Sequence, residues 1–266
     1  MKFLTRYLQN IPPGIVVKFH SKYIVVFICL LVASMGYVKA QDVTEPPTQQ
    51  YALDLLKQMS DHLAASNQFS FDAEILEEEW IHPGILLQYS RYSSIAVKRP
   101  NGIWVETEDD YNHTIFHYDG SDVTLFTIPA NMYATAKAPE TMDATLDFIR
   151  ESLYINLSLA DFMYSNPYEG LMKGVNTAFY AGLHSVRKTD CHHLFFIQDD
   201  IDWQVWIESG KNKVPRKMMI TYKNLPGSPS FIAHLDNWNL NDHSSEQVFI
   251  FIEPAGVVEI DFVSHN

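Results

Sequence analysis

From residue 69 onward the chain repeats one arrangement: short runs in which apolar and polar residues alternate, divided by clusters of turn-forming residues. Phe69, Phe71, Ala73 and Ile75 alternate with Ser70, Asp72 and Glu74, the period of two expected of a strand with one buried face. Further strands are expected at 86–97, 103–107, 114–118, 123–128, 178–186, 192–198, 203–208, 217–223, 231–240, 247–252 and 257–263. Arg99-Pro100-Asn101-Gly102, Asp119-Gly120-Ser121 and Leu225-Pro226-Gly227-Ser228-Pro229 are the clearest turns between them. Strands that follow one another across short turns pair antiparallel, because a parallel pair needs a long crossover. The pattern therefore excludes a doubly wound α/β fold.

Three segments depart from the period of two. Ala52, Leu55, Leu56, Met59 and Leu63 recur at helical spacing after Thr48, a candidate cap, up to about Asn67. Met142, Leu146, Ile149 and Leu153 form a second stripe between Pro139 and about Met163, with Thr141 as its cap, and 168–175 reads as a short third helix. The expected fold class is mainly β (α+β): a large curved antiparallel sheet in one domain, 49–266, with two or three helices on its concave face.

Charge divides the chain differently. Residues 1–40 carry Lys2, Arg6, Lys18, Lys22 and Lys39 and no acid, and 23–38 is an uncharged, mostly apolar run ending at Val38-Lys39-Ala40. A basic flank, a short apolar core and a small terminal residue are the parts of an export signal, with cleavage expected after Ala40 and a linker at 41–48. The run is short for a membrane span, which needs about 20 residues; an uncleaved signal anchor is the alternative. Without those five basic groups the remaining chain has 14 basic and 32 acidic residues, a net charge of −18. Such a surface excludes nucleic acid as a partner and disfavours direct attraction to anionic membranes. Of the two cysteines only Cys191 remains, so no internal disulfide is expected and a buried, inert thiol is.

Several strands are apolar on both faces. Trp203, Val205 and Ile207 face one way and Trp206 the other; Met218 and Ile220 oppose Met219; Val248, Ile250 and Ile252 oppose Phe249 and Phe251. A sheet apolar on both faces must cover both. Either a filled core with an extra contact surface or a partly open apolar cavity satisfies that requirement. On the second reading Trp206, Met219, Phe249 and Phe251 are the candidate lining of a ligand site.

The stretch from Cys191-His192-His193 through Asp202-Trp203-Gln204-Val205-Trp206-Ile207-Glu208, then Val214-Pro215-Arg216-Lys217 and Asp236-Asn237-Trp238-Asn239-Leu240, resembles the bacterial predicted periplasmic proteins of domain-of-unknown-function family 2092. The resemblance covers most of the chain after residue 40. It implies a periplasmic location and a fold similar to the lipoprotein carriers LolA and LolB, an incomplete antiparallel barrel with helices in its mouth. It implies no activity, and it transfers no site residue.

Motifs for chemistry are sparse. His113 and His117 stand four apart, which on a strand places them about 13 Å from each other, too far to share one metal. In Cys191-His192-His193 only Cys191 and His193 point the same way, and His184 would have to come from a neighbouring strand. Asp199-Asp200-Ile201-Asp202 lacks the glycine and distal glutamate of a calcium loop and reads as a solvated turn, and Glu77-Glu78-Glu79 reads as a strand end. No nucleophile elbow, dinucleotide fingerprint or phosphate loop is present. No metal, cofactor or catalytic residue is therefore assigned. The expected function is binding or carrying of an apolar, lipid-like ligand; the alternatives are an envelope module that meets a protein partner, and a hydrolase using acidic residues.

Overall fold

The computed structural model describes residues 49–82 and 84–262. The expected export signal, linker and Thr48 cap lie outside the described residues. Helix α1 (Gln49–Ala64) buries Ala52, Leu55, Leu56, Met59 and Leu63, the stripe its spacing predicts. A first meander follows: β1 (Gln68–His82), β2 (Ile85–Lys98), β3 (Gly102–Asp109), β4 (His113–Tyr118), β5 (Asp122–Thr127) and β6 (Met132–Lys137). Then come α2 (Met142–Glu151), capped by the Thr141 side chain, a 3-10 turn at Ala160–Phe162, and α3 (Pro167–Met172). A second meander, β7 (Thr177–Val186), β8 (Thr189–Ile197), β9 (Ile201–Glu208), β10 (Pro215–Tyr222) and β11 (Ser230–Asn239), precedes a short β12 (Val258–Glu259).

One sheet holds all twelve strands, in the order β12-β6-β5-β4-β3-β2-β1-β11-β10-β9-β8-β7. Antiparallel pairing of β1 with β11 joins the two meanders, and the parallel pair β12–β6 is the exception to the antiparallel rule. The sheet does not close, since β12 and β7 are its two edges. Laid flat it would be about 50 Å wide at the usual strand spacing. Yet one buried cluster takes inward residues from both meanders, among them Val123 of β5, Phe116 of β4, Ile75 of β1, Leu194 of β8 and Ala178 of β7, together with α1 and α2. A sheet that wide gathers into one core only by curling, so the helices occupy its concave side.

Several expectations need correction, and the strand expected at 257–263 is, among the described residues, only Val258–Glu259. The helix read over 139–163 spans only Met142–Glu151; residues 152–159 leave the helical path and cross the concave face. Strand β6 is absent from the sequence reading, because Met-Tyr-Ala-Thr-Ala-Lys offers few branched residues and little contrast between its faces. The strand expected at 247–252 is instead a 3-10 turn (Glu246–Phe249) followed by irregular chain. That segment lies over the outer face of the first meander rather than in the sheet. Phe251 packs on the rings of His117, Phe126 and Tyr133, and the carbonyl of Val248 lies 3.2 Å from His117 Nδ1. Phe249 approaches so closely that a Cβ on Gly102 would stand 2.9 Å from its ring. The second apolar face of the first meander is thus covered by the chain's own C-terminal segment.

Burial lowers the pKa of four histidines, His117, His192, His193 and His234, below the ordinary 6.5. Desolvation of the charged ring is the leading cause at each. The unfolded chain therefore binds more protons than the folded one, and stability present above about pH 6.5 is lost as pH falls through it. The expected result is a melting temperature that declines from pH 7.5 to 5, with a shallower decline in His117→Gln. Equal slopes in scanning fluorimetry would overturn the assignment to His117.

Candidate binding groove

The inward alternation of β1 to β4 continues past the packed core toward the open end of the sheet. There it presents Glu77, Glu79, Tyr89, Arg91 and Asp109 in place of aliphatic residues. These line a wide mouth of about 540 Å³, to which Tyr111 and Asn112 of the β3–β4 turn contribute. Deeper along the same face lies a recess of about 240 Å³ with an apolar floor of Val105, Phe116, Leu125, Ile155 and Leu157 and polar walls that include Thr107, Thr114, Asn156 and Ser158. Glu77 and Arg91 line both spaces, so the recess opens beside the mouth.

Arg91 organises that junction. Its guanidinium pairs with Glu77 at 2.6 Å and donates to the Ser158 hydroxyl at 2.9 Å. Ser158 belongs to the crossing segment 152–161, which acts as a strap over the concave face. On the strap's other side a smaller recess of about 170 Å³ runs between Leu157, Leu159 and Asp161 and the strand residues Met218, Ile220 and Tyr222. Burial pushes the Asp161 carboxyl up, with Arg150 opposing, and burial likewise pushes up the Tyr222 phenol. Two strap residues, Tyr154 (φ 55°) and Leu159 (φ 65°), hold left-handed backbone, a conformation that costs a side-chain-bearing residue on the order of 1–3 kcal/mol.

The four residues expected to line a site fall into two pairs, both on the outer face. Trp206 and Met219 join Val186 and Cys191 in a small cluster on the second meander. His193 stacks on Trp206 (4.1 Å, 11°), and Lys217 Nζ stands 4.6 Å from the same ring. Phe249 and Phe251 sit in the C-terminal segment over the first meander. The residues that floor the inner recess were not singled out from sequence. Their strands show the inward alternation plainly, but nothing local marks the place where helical cover stops.

The remaining candidates have separate structural partners. His113 meets Glu106 at 2.7 Å, His193 Nε2 meets Gln204, and Asp202 pairs with Lys223 at 2.9 Å. Asp199 accepts from Asn176, and Asp200 from Asn224. Burial pushes the Cys191 thiol up to about 11, which makes it a poor nucleophile. Among the described residues no group of three or more His, Cys, Asp or Glu could hold a metal ion.

Among curated proteins none matches the sequence significantly. Solved structures with similarity include the lipoprotein LppX of Mycobacterium tuberculosis, 9% identical with a TM-score of 0.39, over 71% of this chain and 96% of that one. An uncharacterized conserved protein of Thermus thermophilus is 9% identical with a TM-score of 0.43, over 80% and 98%. A LolA superfamily protein of Nitrosomonas europaea is 12% identical with a TM-score of 0.34, over 77% and 98%. The model of the predicted periplasmic proteins DUF2092 matches residues 52–263, and the chain belongs to that family.

Proposed function

We propose that this protein binds and carries an amphipathic, acyl-bearing ligand on its concave face, with the tail against the apolar floor of the recess and the polar head in the charged mouth. One observation carries the reading: an apolar floor and a charged rim adjoin at Arg91. The mouth is within the range of roughly 300–1,000 Å³ usual for small-molecule sites. Each methylene moved from water onto the floor contributes about 0.8 kcal/mol. The strap at 152–161 yields to admit the tail, and release of its left-handed residues offsets part of the cost. Export proceeds by cleavage after Ala40, and an intact mass beginning at Gln41 checks it.

The test is titration with a fluorescent fatty acid, together with native mass spectrometry after mild purification. Thr114→Arg, on the wall of the recess, is expected to weaken uptake at least tenfold while the circular dichroism spectrum is unchanged. A clean apo mass with no uptake overturns the reading.

The mouth also gathers carboxylates, which favours the second reading, hydrolysis by acidic residues. Two of them are already engaged. Glu77 pairs with Arg91, and Asp109 accepts from the backbone N–H groups of Tyr111 and Asn112 at 2.8 Å. Burial raises the Asp109 pKa, but those hydrogen bonds outweigh it and hold the carboxyl below its usual range, opposite to the shift a general acid needs. Turnover of chromogenic glycosides or esters that Glu79→Gln abolishes would establish this reading against the first.

A further inference from the structure

The hairpin of β1 and β2 is longer than the sheet that supports it. Pairing of β1 with β11 ends at Glu77, and pairing of β2 with β3 ends at Arg91. Beyond those points the two strands pair only with each other, as a ribbon of five residues that reaches about 16 Å past its neighbours. Its root is anchored, because the Glu78 carboxylate accepts from both the backbone N–H (2.9 Å) and the hydroxyl (2.6 Å) of Ser230.

The ribbon is apolar where a solvated hairpin would be polar. Residues 80–90 contain no Asp, Glu, Lys or Arg. Ile81 and Ile85 are each 49% exposed at the tip, Leu86 and Leu87 are exposed behind them, and Leu225 of the β10–β11 turn adds to the patch. That turn leans on the ribbon, since a Cβ on Gly227 would meet Trp80 and Leu86 at 3.2–3.3 Å. Composition changes along the axis: Ile81 and Ile85 stand at the tip, Trp80 opposite Leu86 comes next, the carboxylates begin at Glu79 opposite Leu87, and Glu77 opposite Tyr89 lies at the root with Asp109. A lipid interface is graded in the same order, with acyl chains deepest, amphipathic rings at the headgroups and charges in water. A protein partner's surface has no reason to match this gradient.

We propose that the β1–β2 hairpin is a wedge that docks the protein on an electrically neutral phospholipid surface, independently of what the groove holds. The outer backbone groups of the ribbon lack sheet partners, so it enters the interfacial layer and does not cross the hydrocarbon. The carboxylates at its root oppose anionic lipid, in keeping with the net charge of −18 after residue 40.

The experiment is flotation of the exported protein with phosphatidylcholine vesicles. Wild type is expected to float, and the triple variant Ile81→Glu, Ile85→Glu, Leu87→Glu to lose more than tenfold in partitioning. Its melting temperature should be unchanged, since the tip packs against little. Adding phosphatidylglycerol at low salt is expected to weaken flotation. Thr114→Arg should float as wild type does, so failure of the groove reading and failure of the wedge are distinguishable. The proposal is overturned by no flotation of the wild type, by equal flotation of the triple variant, or by stronger binding to anionic vesicles. A dimer that the triple variant dissolves, without vesicle binding, overturns it in favour of self-association.

Discussion

Replacing Arg99 with Met is expected to lower the unfolding free energy by about 3–5 kcal/mol, read by urea titration. The side chain follows β2 and sits half-buried between two helical elements. Its guanidinium donates to Leu63 O (3.3 Å) and Ser66 O (2.9 Å) at the end of α1, and to Met163 O (3.2 Å) and Tyr164 O (2.8 Å) after the 3-10 turn. A helix end leaves its last carbonyls short of partners, though Leu63 O also accepts from the Ser66 N–H at 3.1 Å, and a cation there answers both the missing hydrogen bonds and the negative end of the dipole. The guanidinium also lies 5.0 Å from the Phe69 ring centroid. Burial lowers its pKa, with Asp143 opposing, yet a guanidinium stays charged at every accessible pH. Met fills the space and covers Phe69 but answers none of the four carbonyls. Lys is expected to recover less than half the loss, because a single ammonium cannot fork to two segments. A loss under 1 kcal/mol in Met would show that water replaces the guanidinium.

The second large effect is at Trp238, where Ala is expected to cost about 3–5 kcal/mol. Phe231, Ala233 and Leu235 point into the core, so strict alternation would send Trp238 out toward solvent with the even-numbered residues. A bulge prevents it. The register against β1 shifts between Ser70 and Asp72, and Asn237 adopts left-handed backbone (φ 53°) with its amide donating to Asp72 at 2.7 Å. The step returns Trp238 to the core side, stacked on Phe71 (4.3 Å, 17°) and near Phe69 (6.2 Å), with Nε1 donating to Pro215 O at 2.9 Å. Ala removes two aromatic contacts and one hydrogen bond together. Phe should restore roughly half, since it keeps the stack and loses only the donor. If Trp238→Phe and Trp238→Ala cost the same, the ring stack is not what holds the bulge.

The Asn-Trp-Asn segment shows how far the sequence could be read. It is one of the stretches that carry the family resemblance, and it falls in a strand as expected, but alternation alone assigns the tryptophan to the wrong face. Asparagine tolerates positive φ, which is a hint of a bulge and no more. The expected strand at 247–252 fails for a related reason. Val248, Ile250 and Ile252 alternate with two phenylalanines as a strand would, yet the sheet has no neighbour to offer that segment, and the rings are satisfied by lying across its outer face. The hairpin wedge was half legible: 80–90 is visibly uncharged, but nothing local says that β11 and β3 stop short of it.

Residues close in the chain decide whether a segment can be helix or strand, because periods of 3.6 and 2 are properties of a few consecutive side chains. The sequence by itself therefore determined the two meanders, the helices between them, the acidic character after an acid-free start, and the absence of a recognised catalytic motif. Pairing between distant segments depends on backbone groups that are the same at every residue, so no local pattern reports it. Only the tertiary structure decided that β1 lies beside β11, that the sheet curls without closing, and that a recess with an apolar floor on its inner face meets charge at Arg91.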